Sequence, residues 1–366
     1  MKVIFAGGGT AGHINPAIAV AQYISQQEDC TISFCGGTGN LEETLVPRFG
    51  YEIDTFPLKG LSRGKSLSAI FHNLSAVMQM QKAVSGCKKV IKKRRPDIVI
   101  GTGGYASFPM VLAASQCGVK TAMLEVNAVP GVATKRLAPK VDCVMTTYSE
   151  TAKLISAKRV EETGTPVRQE IIGCRDRAEK TLFNNPLPTV LTFWGSVGAL
   201  HMNEKMKDYL AIVARERQFN QVYACGKKYY DDMIAALTEN GAVRADNIIV
   251  RDYIHDMGNV MGQADLVVCR AGGTINELCA AGMPGVLVPS PFAAENHQER
   301  NARVLEKAGA AVVLLEKETT PESLYQTVRE LLASNERLKQ MGDNAKALAH
   351  NDSLSHIYRT VKDIIG

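Results

Sequence analysis

Short apolar runs of strand character alternate with longer stretches of helical periodicity along this chain, and the alternation starts twice. Val3–Ala6, Thr31–Cys35, Asp97–Ile100, Lys120–Leu124 and Cys143–Thr147 read as a first series of strands. Thr189–Trp194, Gln221–Cys225, Asn247–Val250, Leu266–Cys269, Gly285–Val288 and Ala311–Leu314 read as a second. Strands separated by helices pair in parallel and carry helices on both faces of the sheet. Turn chemistry at Gly164-Thr165-Pro166 and the stretch Asn184-Asn185-Pro186-Leu187-Pro188 divide the two series. The expected fold class is therefore α/β, with two doubly wound domains over residues 1–163 and 164–345. The amphipathic segment Leu354–Ile365, within 346–366, is expected to return to the first domain. A length of 366 residues accommodates this at roughly 100–200 residues per domain. In such sheets ligands lie at the carboxyl ends of the strands, at the switch point of the strand order, so two facing domains would line a cleft with their loops.

Composition removes several alternatives. With 45% apolar and 22% charged residues the chain is neither disordered nor fibrous. A net charge of +5 is too mild to imply nucleic acid as a partner. Nine cysteines form no CxxC pair and no Cys/His cluster of metal spacing, which points to reduced, mostly buried thiols in a cytosolic protein without a metal site. No apolar run approaches about 18 residues, so no membrane-spanning helix is expected. The run Met1–Ala6 is too short for a signal-peptide core before glycine stops it.

The first strand runs into Gly7-Gly8-Gly9-Thr10-Ala11-Gly12-His13. Glycines there let backbone approach a phosphate, and the following helix offers unpaired N–H groups and a positive dipole end. A tight strand-to-helix turn without a ligand is the alternative. A dinucleotide site would need an acidic residue at the end of the second strand, where Phe34-Cys35-Gly36-Gly37 has none. His13 lies in the first turn, where the dipole opposes a cation. A neutral imidazole there is a candidate base for an attacking hydroxyl, with a packing or capping histidine as the equal alternative. A second glycine loop, Gly101-Thr102-Gly103-Gly104-Tyr105-Ala106-Ser107, and the polar strand end Glu125-Val126-Asn127 complete a set that suits one anionic or sugar ligand. In the second half, Gly195-Ser196-Val197-Gly198-Ala199 and Arg270-Ala271-Gly272-Gly273-Thr274 follow strands. Glu277 can take a ribose diol or be a dipole-favoured helix acid. The segment Asn296–Asn301 offers amides for sugar hydroxyls or ordinary caps.

GGGTAGHINP at 7–16, GTGGYASFP at 101–109, GTPVR at 164–168, GSVGA at 195–199, CRAGG at 269–273 and HQERNA at 297–302 occur in one order along the whole chain. By these motifs the chain resembles the MurG family of peptidoglycan N-acetylglucosaminyltransferases. The resemblance implies two Rossmann-like domains of the GT-B type. It implies inverting transfer of GlcNAc from UDP-GlcNAc to O4 of the MurNAc in undecaprenyl-diphosphate-MurNAc-pentapeptide (lipid I), giving lipid II. By matching position it implies a donor set of Thr10, Arg168, Ser196, Ile254, Glu277, His297 and Gln298. In that set Ile254 meets the uracil through its backbone and Glu277 holds the ribose. Arg168 and Ser196 hold the diphosphate, and Gln298 the GlcNAc hydroxyls. His13 is the candidate base. Thr10, Gly12, Tyr105, Ser107 and Asn127 stand on the acceptor side, so Thr10 belongs to both groups. No metal and no cofactor are implied, and no Asp-x-Asp motif is present. The chain departs from the family in three places. Trp194 precedes Gly195 where a glycine is usual, His297 stands where some members have glutamine, and the segment from Arg270 to Glu277 is one residue shorter.

A lipid-linked acceptor implies contact with an anionic membrane surface at the cytoplasmic face, and a cell-wall synthesis complex is a sensible setting. Leu67–Arg95 is the candidate surface, with Ile70, Phe71, Leu74, Val77, Met78 and Met80 followed by Lys88, Lys89, Lys92, Lys93, Arg94 and Arg95. A helix packed on its sheet with a solvated basic end is the alternative. Two other functions stay open from the residues alone. One is a transferase of the same fold for another lipid or small-molecule acceptor. The other is a UDP-sugar-binding protein without turnover.

Overall fold

The computed structural model describes residues 1–58, 67–127, 129–195, 198–293, 296–349 and 352–366, and for 67–75 and 77 the backbone alone. The chain forms two compact units, Met1–Val167 with His350–Gly366, and Arg168–Ala349.

The first unit is built on β1 (Lys2–Gly7), β2 (Thr31–Gly37), β3 (Glu52–Phe56), β4 (Ile98–Gly103), β5 (Lys120–Glu125), β6 (Cys143–Thr146) and β7 (Val160–Glu162). They form a parallel seven-stranded sheet in the order β3-β2-β1-β4-β5-β6-β7. The middle strands are buried on both faces, which is why each carries a continuous apolar stretch within it. The edge strands β3 and β7 carry Glu52, Asp54, Glu161 and Glu162 and are only partly buried, so no apolar run marks them in the sequence. Phe5 pairs with Phe34 on one side and Ile100 on the other, and the two phenyl rings stack at 5.4 Å.

The sheet carries a buried layer on each face. One contains Phe5, Ile14, Ile18 and Ile24 and is closed by the helix Ser353–Ile365, whose Leu354, Ile357, Val361 and Ile364 are buried at helical spacing. Tyr358 and Lys362 donate to the Glu28 carboxylate at 2.8 and 3.0 Å and fasten that helix beside the first one. The other layer contains Ile4, Val99 and Met110, with Cys87 and Ile91 from the inner stripe of the helix Leu67–Arg94.

The second unit repeats the plan with β8 (Thr189–Phe193), β9 (Asn220–Ala224), β10 (Ile248–Arg251), β11 (Leu266–Cys269), β12 (Gly285–Leu287) and β13 (Ala311–Val313). Their order is β10-β9-β8-β11-β12-β13, again all parallel. Each sheet therefore winds outward from its first strand in one direction and then in the other. The order reverses between β1 and β4 in the first unit and between β8 and β11 in the second. Loops leaving the carboxyl ends of neighbouring strands diverge there and open a crevice.

Candidate active site

In the first unit both glycine loops leave the switch point. The ladder between β1 and β4 slips between Ala6 and Gly7, where the chain turns into the loop. Thr10 is the exposed N-cap of the helix Ala11–Gln27, and its side chain makes no capping bond. Gly12 and His13 lie in the first turn. His13 Nδ1 is 3.1 Å from the carbonyl oxygen of Thr102. A carbonyl only accepts, so Nδ1 carries a hydrogen, and in the neutral ring Nε2 carries the lone pair. The second loop makes room for this ring. Gly103 has φ +103°, and a Cβ there would stand 2.6 Å from His13 Nδ1.

The first loop holds an anion of its own. The carboxylate of Glu42, in the short helix Leu41–Leu45, is fully buried and accepts from the N–H groups of Gly9 and Gly37, both at 2.8 Å. A side chain at Gly8 or Gly36 would overlap it. Asn40 Nδ2 donates to Glu42 at 3.3 Å and to the Tyr105 hydroxyl at 3.0 Å, so one polar chain joins the two glycine loops. The phosphate cradle expected of Gly7–Gly9 is thus corrected in part, because the Gly9 N–H is committed to Glu42. Sequence reasoning missed Glu42, which reads as an ordinary acid in a helical first turn. The usable signal was Gly36-Gly37 ending a strand five residues before an acid.

The polar end of β5 is also self-contained. Buried Glu125 accepts from Asn127 N and Nδ2 at 3.0 and 2.9 Å, from Gly131 N at 2.9 Å and from Thr134 Oγ1 at 2.6 Å. Asn127 therefore directs its donors at Glu125, and the pair shapes the loop after β5. Ser107 is fully buried and donates to the Gly104 carbonyl at 2.9 Å, so it ties the second loop and does not offer a hydroxyl to a ligand. Tyr105 is partly exposed beside Gly9.

In the second unit the loop after β8 passes through Ser196 and Val197, which lie outside the described residues, and resumes at Gly198. A cavity of about 330 Å³ opens there, lined among others by Trp194, Gly198, Arg270, Phe292, Gln298 and Glu316. Arg270 is buried, pairs with Glu316 at 2.6 Å, donates to the Val288 carbonyl at 2.9 Å and lies 5.6 Å above the Trp194 ring. Trp194 is thus both a core residue and a cavity wall. Gln298 accepts the Ser290 N–H through Oε1 at 2.9 Å, which orients its NH2 group as the donor. His297, half-buried, opens the helix His297–Lys307, and buried Asn301 donates to Ala271 at 3.1 Å.

Arg168 and Glu277, implied for different parts of one ligand, bind each other. Arg168 Nε and Nη2 donate to Glu277 Oε1 at 3.0 and 2.9 Å, and Nη1 donates to Glu170 Oε1 at 2.8 Å. Burial pulls the Arg168 guanidinium down, but the charges of Glu277 and Glu170 outweigh it, so its pKa is raised. Ile254 is buried, and its sequence neighbours Tyr253 and His255 bring their rings within 4.8 Å of each other.

Profiles of the glycosyltransferase family 28 N-terminal and C-terminal domains match residues 3–146 and 189–357. A relative from Acetivibrio thermocellus, named UDP-N-acetylglucosamine–N-acetylmuramyl-(pentapeptide) pyrophosphoryl-undecaprenol N-acetylglucosamine transferase, is 41% identical over all of this chain and 98% of its own length. One of the same name from Caldanaerobacter subterraneus is 37% identical over the full length of both. The crystal structure of Acinetobacter baumannii MurG aligns over 99% of each chain with a TM-score of 0.71 and 27% identity. The chain belongs to the MurG branch of glycosyltransferase family 28.

Its two parallel Rossmann-like sheets are the GT-B fold of MurG structures. Of the residues that the MurG resemblance implies, Arg168, Ile254, Glu277, His297 and Gln298 fall in the second unit. Thr10, expected in the donor set, falls in the first unit with Gly12, His13, Tyr105, Ser107 and Asn127.

Proposed function

We propose that this MurG-family chain transfers GlcNAc from UDP-GlcNAc to lipid I and so makes lipid II. The observation that carries the reading is the full-length kinship, at 41% identity, to a transferase named for this reaction. In a single displacement the MurNAc O4 attacks the anomeric carbon and gives its proton to a base. The bond from that carbon to the diphosphate breaks, UDP leaves, and the configuration inverts. His13 is the base on this reading. The Thr102 carbonyl accepts from Nδ1–H, which orients the ring, and in the neutral imidazole the lone pair is then on Nε2. Charge that develops on the departing diphosphate needs fixed positive partners. The N-terminus of the helix Leu200–Glu216, directly after the β8 loop, supplies one. Ile254, Glu277, His297 and Gln298 then take the uracil, the ribose and the sugar, with Ser196 at the diphosphate.

The acceptor's lipid requires work at a membrane surface. Lys88, Lys89, Lys92, Lys93, Arg95 and Met78 are exposed on and just after one helix of the first unit, which supports an anionic bilayer as partner. No described helix is long and apolar enough to cross the membrane. The expected side chains Ile70, Phe71, Leu74 and Val77 lie outside the described ones. Arg94 is committed to Asp54 and Glu52 at 2.7 and 2.8 Å, which removes it from the expected basic surface.

Product analysis tests the reaction. The full chain, UDP-GlcNAc and a lipid I analogue in detergent should yield a β-linked disaccharide on the lipid. An acceptor recovered without added hexosamine would overturn the reading.

A further inference from the structure

We infer that Arg168 acts on the donor through Glu277, as a positioning residue that aims the carboxylate at the ribose diol, and does not anchor the diphosphate. The inference rests on the donor reading of the second unit. Two nitrogens of the guanidinium converge on Glu277 Oε1, and Oε2 accepts from neither. The two N–H groups pin Oε1 and leave Oε2 as the oxygen that can accept from a hydroxyl donor. The third nitrogen is committed to Glu170.

Charge points the same way. One guanidinium and two carboxylates make a cluster of net −1. A cluster of that sign repels a diphosphate, whereas a diol, which brings only donors, suits it. Burial sharpens the distinction. The Arg168 and Glu277 side chains are 11% and 13% exposed, so solvent screens their interaction weakly. Without Arg168 the carboxylate loses the partner that fixes its torsions.

Calorimetric titration of the full chain with UDP, 2′-deoxy-UDP and UMP separates the two roles. In the unsubstituted protein, loss of the 2′-hydroxyl should weaken binding about tenfold, the size of one hydrogen bond to a charged group. Glu277→Gln should shrink that penalty. Arg168→Met should shrink it in the same way, while the ratio of UMP to UDP affinity stays that of the unsubstituted protein. Arg168→Lys keeps the charge without the fork and should lose part of the 2′-hydroxyl penalty, again with the UMP ratio unchanged. It carries the test if the methionine variant does not fold. A collapsed UMP ratio with an intact 2′-hydroxyl penalty would make Arg168 a diphosphate anchor and overturn the inference. So would two unchanged ratios. Failure of the unsubstituted chain to bind UDP at all would remove the donor reading first, and that result precedes any substitution.

Discussion

The imidazole of His13 and the carboxylate of Glu42 reach the same glycine-rich turn from different elements. His13 was visible in the sequence because it follows a glycine loop at the start of a helix. Its replacement by alanine should slow turnover by about 10²- to 10⁴-fold, the usual worth of a general base. Donor affinity measured by calorimetry should not change, and an undiminished rate of UDP release would remove His13 as the base. Glu42 was invisible because its partners are backbone N–H groups that only the strand order brings together. Glu42→Gln puts an NH2 group against one of the two N–H donors, which should cost about 1–3 kcal/mol of stability in denaturant unfolding. Unaltered stability would mean that the Gly9 and Gly37 amides find other partners. Much of the glycine density read as a phosphate cradle is explained by these two side chains. Gly8 and Gly36 clear Glu42, and Gly103 clears His13. The link between Arg168 and Glu277 was equally hidden, since 109 residues separate them.

At the scale of elements, strands buried on both faces were legible and edge strands were not. β1, β4 and β5 each carry an unbroken apolar stretch of three or more residues, whereas β3 and β7 mix acids with other residues because only part of each is covered. The last helix is held by Glu28, whose pKa is lowered by the Tyr358 hydroxyl first and then by Lys362. A carboxyl with a depressed folded-state pKa stabilises fully above the ordinary carboxylate range and stops doing so as pH falls through its folded value. Unfolding midpoints taken between about pH 2 and pH 7 should therefore drop in acid, with a smaller drop in Glu28→Gln. An identical acid limb in the variant would show that the clasp contributes nothing. On the helix Leu67–Arg94 the cations divide by their partners. Changing Lys88, Lys89, Lys92 and Lys93 together to glutamine should weaken binding to anionic vesicles by tenfold or more, at about 1 kcal/mol per cation near the surface. Arg94→Gln should leave vesicle binding nearly intact and cost stability instead, because Asp54 and Glu52 already hold it. Equal vesicle binding by the four-lysine variant and the parent would remove the membrane face.

At the scale of the molecule, one plan is used twice, and each copy turns its strand order beside a glycine loop. That plan explains why motifs that are individually weak became specific in combination. Their order along the chain is fixed by the order in which strands reach two switch points. The roles of single residues were less legible than the fold, because a role depends on which neighbour a side chain meets. Ser107 and Asn127 meet the chain itself, and Ser196 lies outside the described residues. The transferase reading stands on the full-length MurG kinship. Its most direct test is UDP release by the full chain from UDP-GlcNAc, with and without a lipid I analogue in detergent. Release that depends on the acceptor is the expected result. Donor that binds, with no UDP appearing when the acceptor is added, would contradict transfer and leave a UDP-sugar-binding protein on a transferase fold.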